Sequence, residues 1–243
     1  VYGASRLNTG EIYYFFTGKF AKLFEILPLE GFLPYRLFNL FLLGLIFLRT
    51  VMTPQTRLLA VPFLISPQIW YAFSYCTSDA FALFIAFGAG CQLLVDDSFF
   101  NRYIKERFSV KQILRVLLAA ICFSLLFLLK ANFYPYIAAV AVVLGVNWYL
   151  DTYEIGRKRY FTKCIAVGLV VFCFLGAHKG VDLSVNGWDK KERMIKLQNE
   201  IAEPMFNMTS PLEVRSPLFT IKERGQSLHT LLFVHRWFEK TFR

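Results

Sequence analysis

Charged side chains are scarce in this sequence. Only 18% of its 243 residues are Asp, Glu, Lys or Arg, whereas an ordinary soluble domain has about 25%. Hydrophobic residues make up 56% of the chain and aromatic residues 18%. A soluble globule of this length would expose more apolar surface than it could bury. The composition therefore excludes an ordinary water-soluble fold and indicates a protein that lies in a lipid bilayer.

Metal-ligand and nucleotide-binding motifs are also lacking. The five cysteines form no CxxC pair and nearly all lie in apolar runs, so neither a zinc site nor a disulfide framework is predicted. The stretch 88–90 lacks the further glycines of a dinucleotide-binding loop. Lys and Arg outnumber Asp and Glu by 27 to 17. Because many of these basic residues flank apolar runs, we expect anionic lipid head groups as their partners, and no nucleic acid.

Six apolar runs have lengths near the roughly 17–25 residues that a helix needs to cross a bilayer. Pro62 and Pro67 both fall in the second run, which predicts a kinked span. We therefore predict an all-α, polytopic integral membrane protein with about six transmembrane helices within residues 33–178. The predicted spans are 33–52, 58–73, 80–95, 113–129, 136–150 and 164–178.

Basic residues alternate between the predicted loops. The links 49–57, 96–112 and 151–163 together hold ten Lys and Arg, whereas the loops 74–79 and 130–135 hold one. Loops rich in Lys and Arg stay on the cytoplasmic side of a membrane. This pattern predicts a multi-pass protein of the plasma membrane with both ends of the chain extracytoplasmic.

Two regions flank the predicted bundle. Residues 1–32 contain apolar side chains at helical spacing after a capping arrangement of Asn8 and Glu11, which predicts an amphipathic helix in the membrane interface. Residues 179–243 are more charged and predict an extracytoplasmic tail. We expect a helical stretch near 189–203 in this tail and an amphipathic stretch near 228–242.

Polar residues gather at the predicted external ends of the spans. We interpret them as a site for an anionic head group, in which Lys130 and Arg36 hold phosphate oxygens and Asp79 binds a divalent metal ion or a sugar hydroxyl. The simpler alternative is that Asp79 caps the third span and the two cations snorkel to the interface. The group comprises Arg36, Ser74, Tyr75, Thr77, Ser78, Asp79, Lys130, Asn132, Tyr134, His178 and Lys179.

The order of four segments resembles that of a family of bacterial multi-spanning membrane proteins of unknown function, which is itself similar to the GT-C glycosyltransferases. The segments are LPYRLFNLFLLGLIFL at 33–48, PFLISPQIWYAFSYCTSDAFALFIAF at 62–87, LLFLLKANFYPYIAAV at 125–140 and LHTLLFVHRWFEKTF at 228–242.

This resemblance implies that a sugar passes from a polyprenyl-phosphate carrier to a cell-envelope glycan at the external face of the bacterial inner membrane. The family's pattern of Ser, a polar residue and Asp matches Ser74, Thr77 or Ser78, and Asp79. Its Lys, aromatic residue and Pro match Lys130, Tyr134 and Pro135. Thr77 stands where the family often has Asn. GT-C enzymes are expected to carry a catalytic acid after their first span, so we expect the main acid upstream of Val1 and substrate contacts at Ser78, Asn132 and Tyr134.

Two other functions stay open. A transporter or flippase for a lipid-linked glycan usually has ionisable residues near the bilayer midplane and inverted repeats, and neither is apparent in the sequence. A noncatalytic membrane scaffold or assembly protein would bind a partner through its external tail and would not need Asp79 or Lys130.

Overall fold

The computed structural model describes residues 12–24, 31–107, 109–129, 133–201, 204, 207, 210–215 and 225. All the regular secondary structure in this part of the chain is helical, so the predicted all-α class is confirmed. The described residues form two compact units, which meet in the sequence between residues 181 and 182.

Ten α-helices lie within the described residues, and one 3₁₀ turn, Pro54–Thr56, joins the second to the third. They are α1 (Ile12–Leu23), α2 (Leu33–Met52), α3 (Arg57–Ile65), α4 (Pro67–Ser74), α5 (Ser78–Leu94), α6 (Phe99–Lys105), α7 (Val110–Phe127), α8 (Tyr134–Leu150), α9 (Arg157–Asn186) and α10 (Lys190–Ile201).

Four segments within the described residues are long and apolar enough to cross a membrane, as expected for a multi-pass membrane protein. The apolar helix α8, with 17 residues, is slightly shorter. The predicted span 33–52 coincides with α2, and the predicted helical stretch near 189–203 contains α10. The four segments are Leu33–Met52, Ser78–Lys105, Val110–Phe127 and Arg157–Asn186.

The second predicted span is divided into α3 and α4 at Ser66. The backbone of Ser66 is extended, with φ −92° and ψ 111°, because a residue that precedes proline is driven away from helical geometry. Pro67 has no N–H to donate to the carbonyl of Phe63, four residues earlier. The indole Nε1 of Trp70 donates to that carbonyl instead, at 2.5 Å. The predicted kink is therefore confirmed as a break whose exposed carbonyl is satisfied by a side chain.

Helix α1 confirms the predicted helix in residues 1–32, and it packs on the bundle. The rings of Tyr13 and Phe20 lie 6.0 and 5.2 Å from that of Phe38 in α2, between centroids. On the other side of α1, Phe15 and Leu23 are exposed. The predicted cap residues Asn8 and Glu11 lie outside the described residues, and so does the predicted amphipathic stretch near 228–242.

Helix α5 is the central element of the unit that ends at Val181. It contacts α1, α2, α3, α4, α6, α7 and α8. Small residues make this packing close, since a Cβ atom placed on Gly90 would lie 3.1 Å from the hydroxyl of Tyr136 in α8 and 3.2 Å from Leu59 in α3. Ala82 and Ala89 are also buried on this helix. By contrast, α8 has no buried residue.

Helix α6 lies inside a link that the sequence predicted as a loop. Asn101, in the first turn of α6, is 3% exposed and joins this turn to the end of α5. The Asn101 Nδ2 donates to the carbonyls of Leu93 and Val95, at 3.1 and 2.8 Å, and its Oδ1 accepts from the Tyr153 hydroxyl at 2.6 Å. Burial raises the pKa of Tyr153 to about 12.

The three basic links meet at one end of the bundle, which we call the basic end. Gln55 and Asp96 exchange two hydrogen bonds, at 2.9 and 3.1 Å. Tyr153 reaches Asn101, as described above. Lys163, which the sequence predicted to lie in a loop, is inside α9, because this helix begins at Arg157 and is longer than the predicted span 164–178.

Lys163 closes the end of α6. Its ammonium donates to the backbone carbonyls of Tyr103, Ile104 and Glu106, at 2.5, 2.8 and 2.6 Å. The last carbonyls of a helix have no partner within the helix, and they carry the negative end of its dipole. The ammonium therefore joins α9 to the link that follows α6.

We predict that Lys163→Met lowers the free energy of unfolding by about 1–3 kcal/mol, because the three carbonyls lose a charged donor. The control is Lys158→Met, which removes an exposed lysine earlier on the same helix and should change the stability by less than about 0.5 kcal/mol. Thermal unfolding of both purified variants in detergent measures the difference. Equal midpoints would contradict the structural role of Lys163.

Candidate functional site

The end of the bundle opposite the basic end carries a set of polar residues that we call the rim: Arg36, Asn39 and residues 75–79. Helices α2 and α5 both begin at this end and run toward the basic end. Their first turns and the link from α4 to α5 therefore come together, although Arg36 and Asp79 are far apart in the sequence.

Asn39 holds the link between α4 and α5. It is fully buried in α2, and its Nδ2 donates to the carbonyls of Tyr75 and Thr77, the latter at 3.2 Å. An amide inside an apolar helix needs such partners because lipid offers none. The sequence analysis did not select Asn39, although an isolated Asn within the apolar run 33–48 was a usable signal.

Thr77 caps α5, and Asp79 lies in the first turn. The Thr77 Oγ1 accepts a hydrogen bond from the backbone N–H of Asp79, at 3.3 Å. The alternative in which Asp79 itself was the cap is therefore wrong, because the helix begins at Ser78, two residues earlier than predicted, and Asp79 lies in its first turn. The Asp79 side chain is exposed, and its carboxylate stands at the positive end of the helix dipole.

Arg36 is positioned by an aromatic ring. Its Cζ lies 5.1 Å from the ring centroid of Tyr75, a distance at which a guanidinium is attracted to the face of an aromatic ring. The ring of Tyr71 lies 4.5 Å from that of Tyr75. A guanidinium attracted to a ring in this way still has N–H groups that can bind phosphate oxygens.

Tyr13 brings α1 to the rim. Its side chain is 1% exposed, and its hydroxyl lies 3.4 Å from the Sγ of Cys76. Its ring lies 6.1 Å from that of Phe81 in α5. Burial, with a smaller contribution from Cys76, raises the pKa of Tyr13 well above that of an ordinary phenol, so this hydroxyl is neutral at any physiological pH.

A cleft lies between α1, the start of α5 and the end of α7. Its enclosed space is about 10 Å³, which is room for about one water molecule. Hydroxyls of Tyr13 and Ser78 are the only side-chain polar groups among its described lining residues, which are Ile12, Tyr13, Ser78, Phe81, Ala82, Leu128 and Leu129. Leu129 immediately precedes Lys130 in the sequence.

Three buried oxygens in this part of the chain have no hydrogen-bond partner among the described residues. They are Thr17 Oγ1, Asn39 Oδ1 and Ser78 Oγ. A buried polar atom left without a partner costs about 1–3 kcal/mol, so such atoms usually contact a water molecule or a ligand. Their concentration in α1 and at the rim makes this region the best candidate for a binding site.

The structure brings three of the predicted site residues, Arg36, Ser78 and Asp79, to one end of the bundle. Tyr134 is the first residue of α8 and is 51% exposed. Lys130 and Asn132 lie outside the described residues, so their part in the site stays a prediction.

Other rim contacts were missed by sequence reasoning. Tyr13 and Cys76 are 63 residues apart in the chain, and no local pattern links them. Within the described residues, no group of three or more His, Cys, Asp or Glu could hold a metal ion. The predicted metal ion at Asp79 therefore gains no set of ligands from these residues.

Comparisons of the chain with models of protein families, with curated proteins and with solved structures found no match. The functional argument therefore rests on the residues of this chain and on their geometry.

We predict that Asn39→Leu lowers stability by about 1–3 kcal/mol, because two buried carbonyls lose their donor, and that it raises the rate at which a maleimide modifies Cys76. The control is Thr50→Val in the same helix, since Thr50 bonds only to its own helix, at Ile46 O. Peptide mass spectrometry separates Cys76 from the other exposed cysteine, Cys173. Equal modification rates in both variants would show that Asn39 does not hold the link.

Proposed function

We propose that six segments of this chain cross the membrane: α2, α3 with α4, α5, α7, α8 and α9. The bond from Trp70 Nε1 to Phe63 O supports a crossing by the broken pair, because a broken helix survives in lipid only when its exposed backbone groups find partners. The 17 residues of α8 are at the lower limit for a span.

We propose further that the basic end faces the cytoplasm and the rim faces outward. Hydrogen bonds among the three basic links support one common location for their ten Lys and Arg, and this is the location that the positive-inside rule assigns to the cytoplasm. The rim would then be reached from the external side.

The function that we propose is that of a GT-C type glycosyltransferase. At the rim it would bind a sugar carried on polyprenyl phosphate and transfer the sugar to a cell-envelope glycan. The observation that carries the proposal is the guanidinium of Arg36 held against Tyr75 at the same end of the bundle as the exposed Asp79, which lies in the first turn of α5. Cations that contact a phosphate stabilise the charge it gains as it departs.

In the proposed reaction, an acceptor hydroxyl attacks C1 of the donor sugar while the bond from C1 to the phosphate oxygen breaks. The electron pair of that bond leaves with the polyprenyl phosphate, whose charge Arg36 and Lys130 would stabilise. Asp79 would accept a hydrogen bond from a sugar hydroxyl and so orient the donor. The proton of the acceptor hydroxyl passes to the departing polyprenyl phosphate, so that atoms and charge balance.

We predict that Asp79→Asn in the full-length protein lowers glycan transfer by about 10- to 100-fold, the effect of losing one charged hydrogen bond to substrate. The control is Asp97→Asn, because Asp97 is an exposed aspartate at the basic end, 3.3 Å from Arg102. Transfer of radiolabelled sugar from polyprenyl phosphate into glycan is measured in membranes, and unfolding midpoints confirm that both variants fold.

Unchanged transfer in both Asp79→Asn and Arg36→Gln would contradict the proposed site and favour a noncatalytic scaffold. Movement of a lipid-linked glycan across reconstituted vesicles, without transfer of its sugar, would favour the flippase.

A further inference from the structure

The cleft between α1, α5 and α7 is small, and its polar groups come from two different helices. Its enclosed space of about 10 Å³ is room for about one water molecule. Tyr13 of α1 and Ser78 of α5 contribute hydroxyls to it, and every other described lining residue is apolar. A molecule in this space would therefore be very small and would meet one hydroxyl from each helix.

We propose that the cleft binds one ordered water molecule, which joins the hydroxyl of Tyr13 to the Oγ of Ser78. The water adds a polar contact between α1 and the rim to the aromatic contacts that Tyr13 makes with Phe38 and Phe81. Through it, α1 helps to hold the first turn of α5 in place. This inference uses only the lining of the cleft and does not depend on the proposed transfer of a sugar.

Ser78 gives the strongest evidence for a bound molecule. Its side chain is 6% exposed and lines the cleft, and its Oγ has no hydrogen-bond partner among the described residues. A buried hydroxyl that has lost its hydration and gained no partner is unfavourable. A water molecule in the cleft gives Ser78 the partner that it lacks.

The hydroxyl of Tyr13 is the second partner of the proposed water. It lies 3.4 Å from the Sγ of Cys76, and sulfur is a weak hydrogen-bond partner. Burial raises the pKa of Tyr13, whereas Thr17 and Asn39 act in the opposite direction, so both of these side chains lie near its hydroxyl. Because Thr17 Oγ1 and Asn39 Oδ1 also have no partner among the described residues, the cleft adjoins a polar region of the interior.

Water suits this cleft better than an ion does. A cation would stand at the positive end of the α5 dipole, with no carboxylate among the described lining residues. An anion would lose its hydration there without gaining a basic side chain from those residues. Water is neutral, and it both donates and accepts hydrogen bonds, as each of the two hydroxyls does.

Thermal unfolding of the full-length protein in detergent tests the inference with Ser78→Ala, Tyr13→Phe and the double variant, none of which adds bulk. We expect each single substitution to lower the midpoint by about 2–4 °C, the shift that corresponds to one hydrogen bond. Because both hydroxyls bind the same water, the double variant should fall by less than the sum of the two shifts.

The matched control is Ser124→Ala. Ser124 is 4% exposed, and its hydroxyl donates within its own helix, to the carbonyl of Ile121 at 2.9 Å. Since Ser124 does not line the cleft, its shift should add to that of Tyr13→Phe in the corresponding double variant.

The sign of the Ser78→Ala effect is decisive. If nothing binds the Oγ of Ser78, removal of an unpaired buried hydroxyl leaves the midpoint unchanged or raises it. Either result would overturn the inference, and so would additive shifts of Ser78→Ala and Tyr13→Phe.

A change of salt separates water from an ion. Replacing sodium chloride by choline gluconate at equal ionic strength should shift the midpoints of the wild type and of Ser78→Ala equally. A fall confined to the wild type would show that Na⁺ or Cl⁻ occupies the cleft, and it would overturn the assignment of water.

Discussion

The structure depends on one constraint: backbone carbonyls that are exposed where a helix breaks or ends need donors, and the interior of a membrane supplies no water. Side chains supply these donors. The indole of Trp70 does so at the break before Pro67, and the amide of Asn101 does so between α5 and α6. Lys163 and Asn39 do the same at the two ends of the bundle. Asn39 and Lys163 also join segments that lie 38 and 59 residues apart in the chain, so satisfying these carbonyls fixes the arrangement of the helices.

The rim differs from these sites, because two of its buried side-chain oxygens have no hydrogen-bond partner among the described residues. In α6, both polar atoms of the Asn101 side chain have partners: its Nδ2 donates to the carbonyl of Leu93, and its Oδ1 accepts from the hydroxyl of Tyr153. At the rim, Asn39 donates through its nitrogen, while its oxygen and that of Ser78 have no partner among the described residues. A packed protein interior rarely keeps such atoms unless something else binds them. Among the described residues, α1 and the rim have three such atoms, Thr17 Oγ1, Asn39 Oδ1 and Ser78 Oγ, whereas the basic end has one, Gln112 Oε1. The rim is therefore the better candidate for a ligand-binding role.

Sequence patterns predicted the apolar helices well, because hydrophobic length is a local property. The span 33–52 is identical to α2, and the proline-containing run is broken where proline requires it. The patterns did not predict α6, since its start depends on Asn101 reaching back to Leu93 and Val95. The charge pattern predicted that Lys163 belongs with the basic links. It did not predict that the Lys163 ammonium would donate to the carbonyls at the end of α6. The contact of Tyr13 with Cys76 and the cleft beside it arise only from tertiary packing.

The central claim is that the basic end and the rim lie on opposite sides of the membrane, with the rim outward. Labelling of intact cells with a membrane-impermeant maleimide tests it directly, using the exposed Cys76 at the rim and a cysteine introduced by Lys158→Cys at the basic end. The account predicts that Cys76 is labelled in intact cells and that the introduced cysteine is labelled only after the membrane is permeabilised. Labelling of both from the same side, or the reverse pattern, would contradict it.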